Sequence, residues 1–270
     1  MSDPPTERGD FFAVAGLEKA FHGNAILKGA TFTIPRGKTT VILGGSGAGK
    51  SVLLKHLNGL LIPDAGSVSV DGETLTGMSE SDLTPLRQRI GVLFQNGALF
   101  DSMTVGENVA FPLREQTKLS HAEISDRVSE ALDRVDLTEA VAKRPEDLSG
   151  GMRKRAGLAR AIITRPEAML YDEPTAGLDP ILASTVARLI NRLKGELSLT
   201  SVVVTHHLGL VRTVADRVLF LSSRSVIFQG SVAEFFASSI PELLDYRNAA
   251  ESLSEAGPSG NLSRKLEQFE

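Results

Sequence analysis

The sequence predicts an α/β protein in which helices alternate with the strands of a parallel sheet. Three short apolar runs, at 39–43, 168–171 and 201–205, are typical of strands that are buried on both faces. Alternating polar and apolar residues within 11–35 indicate an N-terminal antiparallel β subdomain. Residues from about 97 to 163 follow a mostly helical pattern, which predicts an α-helical subdomain inserted into the core.

The domain organisation follows from length and local composition. The chain has 270 residues, enough for one large domain with a substantial core. Residues 1–10 are polar and lack the basic start and apolar stretch of a secretory signal, so we expect a disordered leader. We expect the main domain to span 11–238. Residues 239–270 include Gly-Pro-Ser-Gly at 257–260 and are interpreted as a loosely attached C-terminal tail.

Composition excludes some kinds of site and partner. The chain contains no cysteine, which excludes disulfides and thiolate metal sites. Its net charge of -4 does not favour nucleic acid as a partner. No run approaches the roughly 18–20 apolar residues that a membrane-spanning helix needs. If the protein works at a membrane, we therefore expect it to do so through a partner.

A glycine-rich loop separates the first buried strand from a helical pattern. It fits the pattern of Gly, four residues, Gly-Lys-Ser/Thr that defines a phosphate-binding P-loop. Its residues are Gly44, Gly45, Ser46, Gly47, Ala48, Gly49, Lys50 and Ser51. Glycines let the backbone amides turn inward around an anion, and the following helix N-terminus favours phosphate. Lys50 would reach the β- and γ-phosphates and the Ser51 hydroxyl would bind Mg²⁺, whereas the alternative is a glycine-rich turn that binds nothing.

Two carboxylates end the second buried strand. Asp172 and Glu173 follow Ala168–Tyr171, and catalytic groups lie at the carboxyl ends of strands in such sheets. Asp172 suits the Mg²⁺ site, and Glu173 is placed to polarise an attacking water. In isolation the pair could equally be an ordinary acidic turn. After a P-loop it predicts a P-loop NTPase with a RecA-like core.

Further motifs resemble the nucleotide-binding subunits of ATP-binding-cassette transporters, over about residues 11–235. They occur in the family's order: Phe21 as the adenine-stacking aromatic, Gln95 in the Q-loop, Leu148-Ser149-Gly150-Gly151-Met152 as the signature, Gly177-Leu178-Asp179 as the D-loop, and His206 as the switch histidine. The resemblance implies MgATP hydrolysis. Glu173, His206 and Gln95 would be catalytic, and Ser51, Gln95 and Asp172 would lie at the metal. The signature has Met152 where Gln is usual, and His207 stands where Asp is frequent.

The family's head-to-tail arrangement implies a homodimer. The signature residues Ser149, Gly150 and Gly151 of one subunit, with Asp179, would then cover the ATP on the P-loop of the other. A small-residue helix N-terminus is itself a suitable anion site. Taken alone, Ser149 is more simply a helix cap, and Phe21 alone is more simply a core residue.

A basic cluster follows the signature, at Arg153, Lys154, Arg155 and Arg160. Such clusters can bind nucleic acid, but a helix start that holds triphosphate explains the charges too. Because no domain-wide basic balance supports nucleic acid, we do not expect it as a partner.

The stretch 94–114 and the Met152 signature are similar to the ATPase subunits of Mla-type phospholipid transporters, also called the MCE-associated or toluene-tolerance type. This narrower resemblance implies an integral-membrane permease, an MCE-type lipid-binding protein, and a location at the cytoplasmic face of the inner membrane. It implies phospholipid transport between the inner and outer membranes. Two alternatives stay open: an ATPase subunit of an importer for amino acids or another small solute, and a soluble cassette ATPase without a transport role.

Overall fold

The computed structural model of the protein describes residues 9–255. The strands are β1 (Asp10–Phe21), β2 (Asn24–Pro35), β3 (Thr39–Gly44), β4 (Ala65–Val70), β5 (Glu73–Thr74), β6 (Ile90–Leu93), β7 (Ala168–Asp172), β8 (Thr200–Val204), β9 (Arg217–Ser222) and β10 (Ser225–Ser231). The helices are α1 (Lys50–Leu57), α2 (Glu80–Gln88), α3 (Val105–Gln116), α4 (His121–Arg134), α5 (Gly150–Ile162), α6 (Pro180–Leu197), α7 (Leu208–Val214), α8 (Val232–Ala237) and α9 (Pro241–Glu255). Within this part of the chain, no helix is both long and apolar enough to cross a membrane.

A six-stranded sheet forms the centre of the molecule. Its strand order is β10-β9-β3-β8-β7-β6, and only the β9–β10 pair is antiparallel. Every residue of β3 and β8 is buried, as expected for strands covered on both faces. The α/β fold with a parallel core is therefore confirmed.

The N-terminal strands form a second sheet, with the order β2-β1-β4-β5 and antiparallel pairing throughout. The β4–β5 turn has positive φ at both Asp71 and Gly72, the geometry that suits the right-handed twist of a hairpin. Leu53 and Leu57 of α1 belong to the same buried cluster as Phe12 of this sheet and Val202 of the core sheet. The helix that follows the glycine-rich loop thus packs within the core shared by the two sheets.

The inserted helical region contains α3, α4 and α5. Capping boxes start α3 at Thr104 and α4 at Ser120, the second being paired with Glu123. The buried face of α5 joins this region to the core sheet, because Ala156 and Ala159 lie in the same cluster as Leu93 of β6. The position of α5 is therefore coupled directly to the sheet that carries the acidic pair.

The structure differs from the expected loose tail at α9. Leu243 is fully buried, and the Tyr246 ring meets Phe220 of β9 edge-on, with centroids 5.0 Å apart. Arg247 is buried too and donates to the carbonyl oxygens of Phe235 and Ser238. Residues 241–255 are hence a docked helix, because their apolar side chains and one buried guanidinium find partners. The remainder of the predicted tail and residues 1–8 of the predicted leader lie outside the described residues.

We predict that Leu243→Ala lowers the free energy of unfolding by about 3 kcal/mol, because it leaves a cavity beneath α9. Leu244→Ala is the matched control, since Leu244 is 38% exposed and its truncation should cost less than about 1 kcal/mol. Urea unfolding followed by circular dichroism measures both variants. Equal losses for the two leucines would show that α9 is not docked in this way.

Candidate active site

The carboxyl ends of three adjacent parallel strands meet at one edge of the core sheet. Ile42 of β3 pairs with Val204 of β8, and Val204 pairs with Asp172 of β7. The glycine-rich loop follows β3, Glu173 follows β7, and His206 lies just after β8. Strand register therefore brings together residues that are more than 120 positions apart.

The glycine-rich loop is closely fitted to the strands beside it. A Cβ on Gly44, whose φ is 154°, would lie 2.5 Å from the carbonyl oxygen of Leu221 on β9. Gly49 precedes α1 with a left-handed φ of 97°. Lys50 folds back over the loop and donates to the carbonyl oxygens of Gly44 and Gly45 at 2.9 Å each. The ammonium group is thus held among backbone groups at the mouth of the loop.

Electrostatics around Lys50 favour an anionic ligand. Burial lowers the pKa of Lys50, and the nearby carboxylates of Glu173 and Asp172 oppose that shift. The positive end of the α1 dipole also lies at this loop. Phosphate oxygens can accept from such a cation and from inward-facing amides without additional protein groups.

Ser51 and Asp172 bring two hard oxygen donors to the same point. The Ser51 hydroxyl donates to Oδ1 of Asp172 at 3.1 Å. Burial raises the pKa of the Asp172 carboxyl, although the hydrogen bond from Ser51 opposes that shift. Among residues 9–255 there is no group of three or more His, Asp or Glu residues that could hold a metal by itself. A hydroxyl and a carboxylate fit Mg²⁺, which commonly keeps waters and takes other ligands from substrate phosphates.

Glu173 and His206 form the second pair at this edge. Nδ1 of His206 lies 2.9 Å from Oε1 of Glu173, whereas Oε2 of Glu173 is buried and has no hydrogen-bond partner among the residues that the structure describes. The Glu173 backbone has a φ of 46°, uncommon for a residue with a side chain, and its amide donates to Val204 at 2.9 Å. A buried carboxylate oxygen with no protein partner is suited to accept from a bound water.

His207, the departure from the expected pattern, packs against the switch position. Its ring centroid lies 4.1 Å from that of His206, and its amide donates to the Thr205 hydroxyl at 3.1 Å. Burial lowers the pKa of His207, and the neighbouring His206 acts in the same direction. His207 therefore supports the His206 ring from one side and adds no carboxylate to the site.

The β1–β2 hairpin brings Phe21 to the same end of the molecule. Phe21 ends β1, and the residue is 39% exposed. On the partner strand, Ile26 and Leu27 lie against the glycine-rich loop, within 3.2 Å of the point where a Gly49 Cβ would be. An exposed ring on a hairpin that touches the loop is available for stacking on a base.

The signature and D-loop residues are organised as helix caps. Ser149 caps α5 by accepting from the Met152 amide at 3.3 Å. Asp179 caps α6 by accepting from the amides of Ile181 and Leu182 at 2.9 and 3.0 Å. Gly150 and Gly151 pack beside the D-loop segment, since a Cβ on either would lie 3.3 Å from the side chain of Leu178 or Leu182, respectively. Capping is therefore present in this chain, and contact with a second nucleotide stays a prediction.

The basic cluster after the signature faces backbone carbonyl groups. The acceptors are Leu148 for Arg153, Gln95 and Glu173 for Lys154, Val135 and Asp136 for Arg155, and Gly97 and Ala98 for Arg160. These cations stabilise loops within the chain. Gln95 itself is exposed, and its carbonyl oxygen, not its amide group, makes the contact with Lys154.

Two residues near the site were not anticipated from the sequence. One is Lys154, which was interpreted only as part of the basic cluster. The other is Tyr246 of α9, whose hydroxyl donates to the His206 carbonyl oxygen at 3.2 Å. Burial raises the pKa of Tyr246 to about 12, and the negative charge of Glu173 contributes to that rise. The spacing of Leu243, Tyr246 and Arg247 on one helical face could have revealed the docked helix.

Comparison with known families gives a match to the ABC transporter family over residues 27–176. A probable ribonucleotide transport ATP-binding protein, mkl, from Mycobacterium tuberculosis is 42% identical over 94% of this chain and 70% of its own length. The intermembrane phospholipid transport system ATP-binding protein MlaF of Escherichia coli is 40% identical over 82% of each chain. The methionine import ATP-binding protein MetN 1 of Pseudomonas putida is 42% identical over 78% of this chain and 63% of its own length.

Solved structures of ATP-binding cassettes superpose on most of this chain. The cbiO1 protein from Clostridium perfringens, part of the ABC transporter complex cbiONQ, superposes with a TM-score of 0.79 at 34% identity, covering 89% of this chain and 95% of its own. A dimeric ATP-binding cassette in a post-hydrolysis state with ADP and Pi superposes with a TM-score of 0.76 at 29% identity, covering 82% of this chain and 98% of its own.

Proposed function

Since this chain belongs to the ABC transporter family and is its MgATP-hydrolysing, ATP-binding subunit, we propose that it powers phospholipid transport between two membranes. The domain that performs hydrolysis would span residues 11–238, with the helical subdomain at about 97–163. The assignment of the catalytic site is supported by three features that meet at one sheet edge: Lys50 over the loop, the Ser51 contact with Asp172, and the His206 contact with Glu173.

The proposed nucleotide site uses each residue for one task. The loop Gly44–Ser51 holds the phosphates with its amides and Lys50, and Phe21 stacks on the adenine. Ser51, Asp172 and Gln95 are the side chains that would lie at Mg²⁺, which offsets charge on the phosphate oxygens when bound. Each of these contributions stabilises charge or position, which is most of what phosphoryl transfer requires.

Glu173 and His206 are proposed to act on the attacking water. The free Oε2 of Glu173 would accept from the water, while His206 Nδ1 fixes the other carboxylate oxygen. A carboxylate placed in this way orients the water and receives its proton as the bond to phosphorus forms. His206 thereby keeps the Glu173 rotamer directed into the site.

We predict that Glu173→Gln lowers kcat for ATP hydrolysis by at least about a hundredfold, because an amide cannot take the proton. The dissociation constant for ATP should stay within about threefold, since the substitution preserves shape. Glu167→Gln is the control, because Glu167 pairs with Arg36 and Arg89 at the opposite end of β7. Phosphate release and equilibrium binding measure the two quantities, and a Glu173→Gln enzyme with unchanged kcat removes Glu173 from its role.

A homodimer is the proposed working form. The loops with Ser149, Gly150 and Gly151 and the D-loop at Asp179 would cover the nucleotide bound to the partner subunit. Support comes from the dimeric state of a related cassette and from the exposure of Ser149 at the start of α5. A two-fold dimer closes two equivalent sites with one self-complementary interface.

Phospholipid is the proposed cargo, moved through a permease and an MCE-type lipid-binding protein, with this subunit at the cytoplasmic face of the inner membrane. The E. coli relative named for intermembrane phospholipid transport supports this, as does the particular stretch 94–114. In that stretch, Phe100 is 43% exposed and packs on Phe111 with centroids 4.9 Å apart. An exposed ring supported by a half-buried one in this way can contact a permease. Import of an amino acid or another small solute is the second candidate, because the P. putida relative is named for methionine import.

Capture of the tagged full-length protein from native membranes tests the cargo. We expect a permease, an MCE-type protein and bound phospholipid in the eluate by mass spectrometry, because the subunit is held at the membrane by its permease. The active-site variant Glu173→Gln should retain the same partners. A permease accompanied by a solute-binding protein, without retained lipid, would replace the phospholipid proposal with solute import.

A further inference from the structure

Lys154 is a buried cation near the start of α5. Only 5% of the residue is exposed, although lysine is among the residue types least often found inside proteins. Its two hydrogen-bond acceptors are backbone carbonyl oxygens, and no carboxylate within residues 9–255 forms an ion pair with it. A group that is this costly to bury needs polar partners that hold it in place.

The acceptors of Lys154 come from two separate catalytic segments. Its Nζ donates to the carbonyl oxygen of Gln95 and, at 3.2 Å, to that of Glu173. These acceptors lie 59 and 19 positions away in the chain. One ammonium group therefore connects the signature helix, the segment after β6 and the segment after β7.

The approach of α5 to the segment after β6 is unusually close. A Cβ on Gly157, one turn beyond Lys154, would lie 3.0 Å from the Gly97 carbonyl oxygen. Arg160, a further turn along, donates to Ala98 at 2.6 Å. The same face of α5 thus bears Lys154, a glycine that permits contact, and a second cation that binds the same loop.

Glu173 has a particular need for such support. Its φ of 46° is a conformation that residues with a side chain seldom adopt, and it persists only where the surroundings hold it. The amide of Glu173 is fixed by Val204, and its carbonyl oxygen is fixed by Ala176 and by Lys154. Lys154 contributes the only side-chain donor to that carbonyl among the described hydrogen bonds.

We propose that Lys154 is a positioning residue for ATP hydrolysis, which ties the backbone of Glu173 and Gln95 to the signature helix. The inference rests on the proposed role of Glu173 in orienting water. Any displacement of α5 relative to the core sheet moves both carbonyl groups, so the geometry of hydrolysis depends on where α5 lies. Lys154 acts through these backbone contacts and does not touch the substrate.

Hydrogen exchange of the nucleotide-free, full-length protein tests the contacts themselves. The amides of Gly97 and Ala176 close the two turns that contain the acceptor carbonyls, by donating to Phe94 and Glu173. In Lys154→Met, we expect both amides to exchange at least about fivefold faster than in the unsubstituted protein. Uniform acceleration throughout the chain, or none at these two amides, overturns the proposal.

Arg155→Met is the matched control for the loss of a cation from α5. Arg155 donates to the carbonyl oxygens of Val135 and Asp136, which lie inside the helical region. Its removal should speed exchange of the amides of Asp136 and Leu137, and leave Gly97 and Ala176 unchanged. Faster exchange at Gly97 or Ala176 in this control would show that these amides respond to the loss of any cation from α5 and not specifically to the loss of Lys154.

Kinetics test the consequence for hydrolysis. We expect Lys154→Met to lower kcat about tenfold with KM for ATP within about twofold, since the ground-state binding groups are untouched. Lys154→Gln, which keeps N–H donors on a side chain one atom shorter, should lose less than about threefold. Equal kcat for Lys154→Met and the unsubstituted protein, or equal losses for Met and Gln, would contradict a positioning role.

Two outcomes keep this proposal separate from the role of Glu173. If Glu173 is not catalytic, Glu173→Gln retains its kcat, whereas the exchange result for Lys154→Met still reports the contacts. If Lys154→Met does not fold, Lys154→Gln carries the exchange test: its side chain is one atom shorter and uncharged, so it holds the two carbonyl groups more loosely and both amides should still exchange faster than in the unsubstituted protein. Unchanged exchange at both Gly97 and Ala176 in that variant overturns the proposal.

Discussion

The register of three parallel strands is the constraint on which the rest of the structure depends. The pairing of β3, β8 and β7 places Ile42, Val204 and Asp172 side by side, so the segments that follow them must share one edge. A shift by one residue would turn every side chain of a strand to the opposite face. Because every residue of β3 and β8 is buried, the register is costly to change. The positions of the site residues at the strand ends are fixed by the same pairing.

Backbone carbonyl groups, more than carboxylates, hold the cations around this edge. Lys50 binds Gly44 and Gly45, and Lys154 binds Gln95 and Glu173. Carbonyl partners satisfy an ammonium group without cancelling its charge, so the positive potential is preserved for an anionic ligand. The carboxylates of Asp172 and Glu173 remain available for a metal ion and for water.

Local patterns in the sequence predicted the elements that depend on neighbouring residues. The buried strands and the glycine-rich loop both follow from patterns within a few positions. The convergence of Ser51 with Asp172 was also predictable, because the carboxyl ends of parallel strands meet at one edge.

Long-range pairing explains what the sequence did not reveal. Lys154 appeared to be one cation among four, and only the close approach of α5 at Gly157 shows which carbonyl groups it reaches. The left-handed backbone of Glu173 is held by the distant Val204 and Lys154 as well as by the nearby Ala176. The α9 helix was interpreted as a tail because of the Gly and Pro residues beyond it, while its Leu243 contacts a core assembled from distant strands.

The central claim is that one sheet edge, built from the loop 44–51, Asp172 and Glu173, binds and hydrolyses MgATP. A structure of Glu173→Gln with MgATP tests it most directly, because the variant should trap the nucleotide before hydrolysis. We expect an intact triphosphate in the loop, with Mg²⁺ bound by the Ser51 hydroxyl and Asp172 beside it. Phosphates bound away from this loop, or a metal ion without Ser51 among its ligands, would show that this sheet edge is not the site of MgATP hydrolysis.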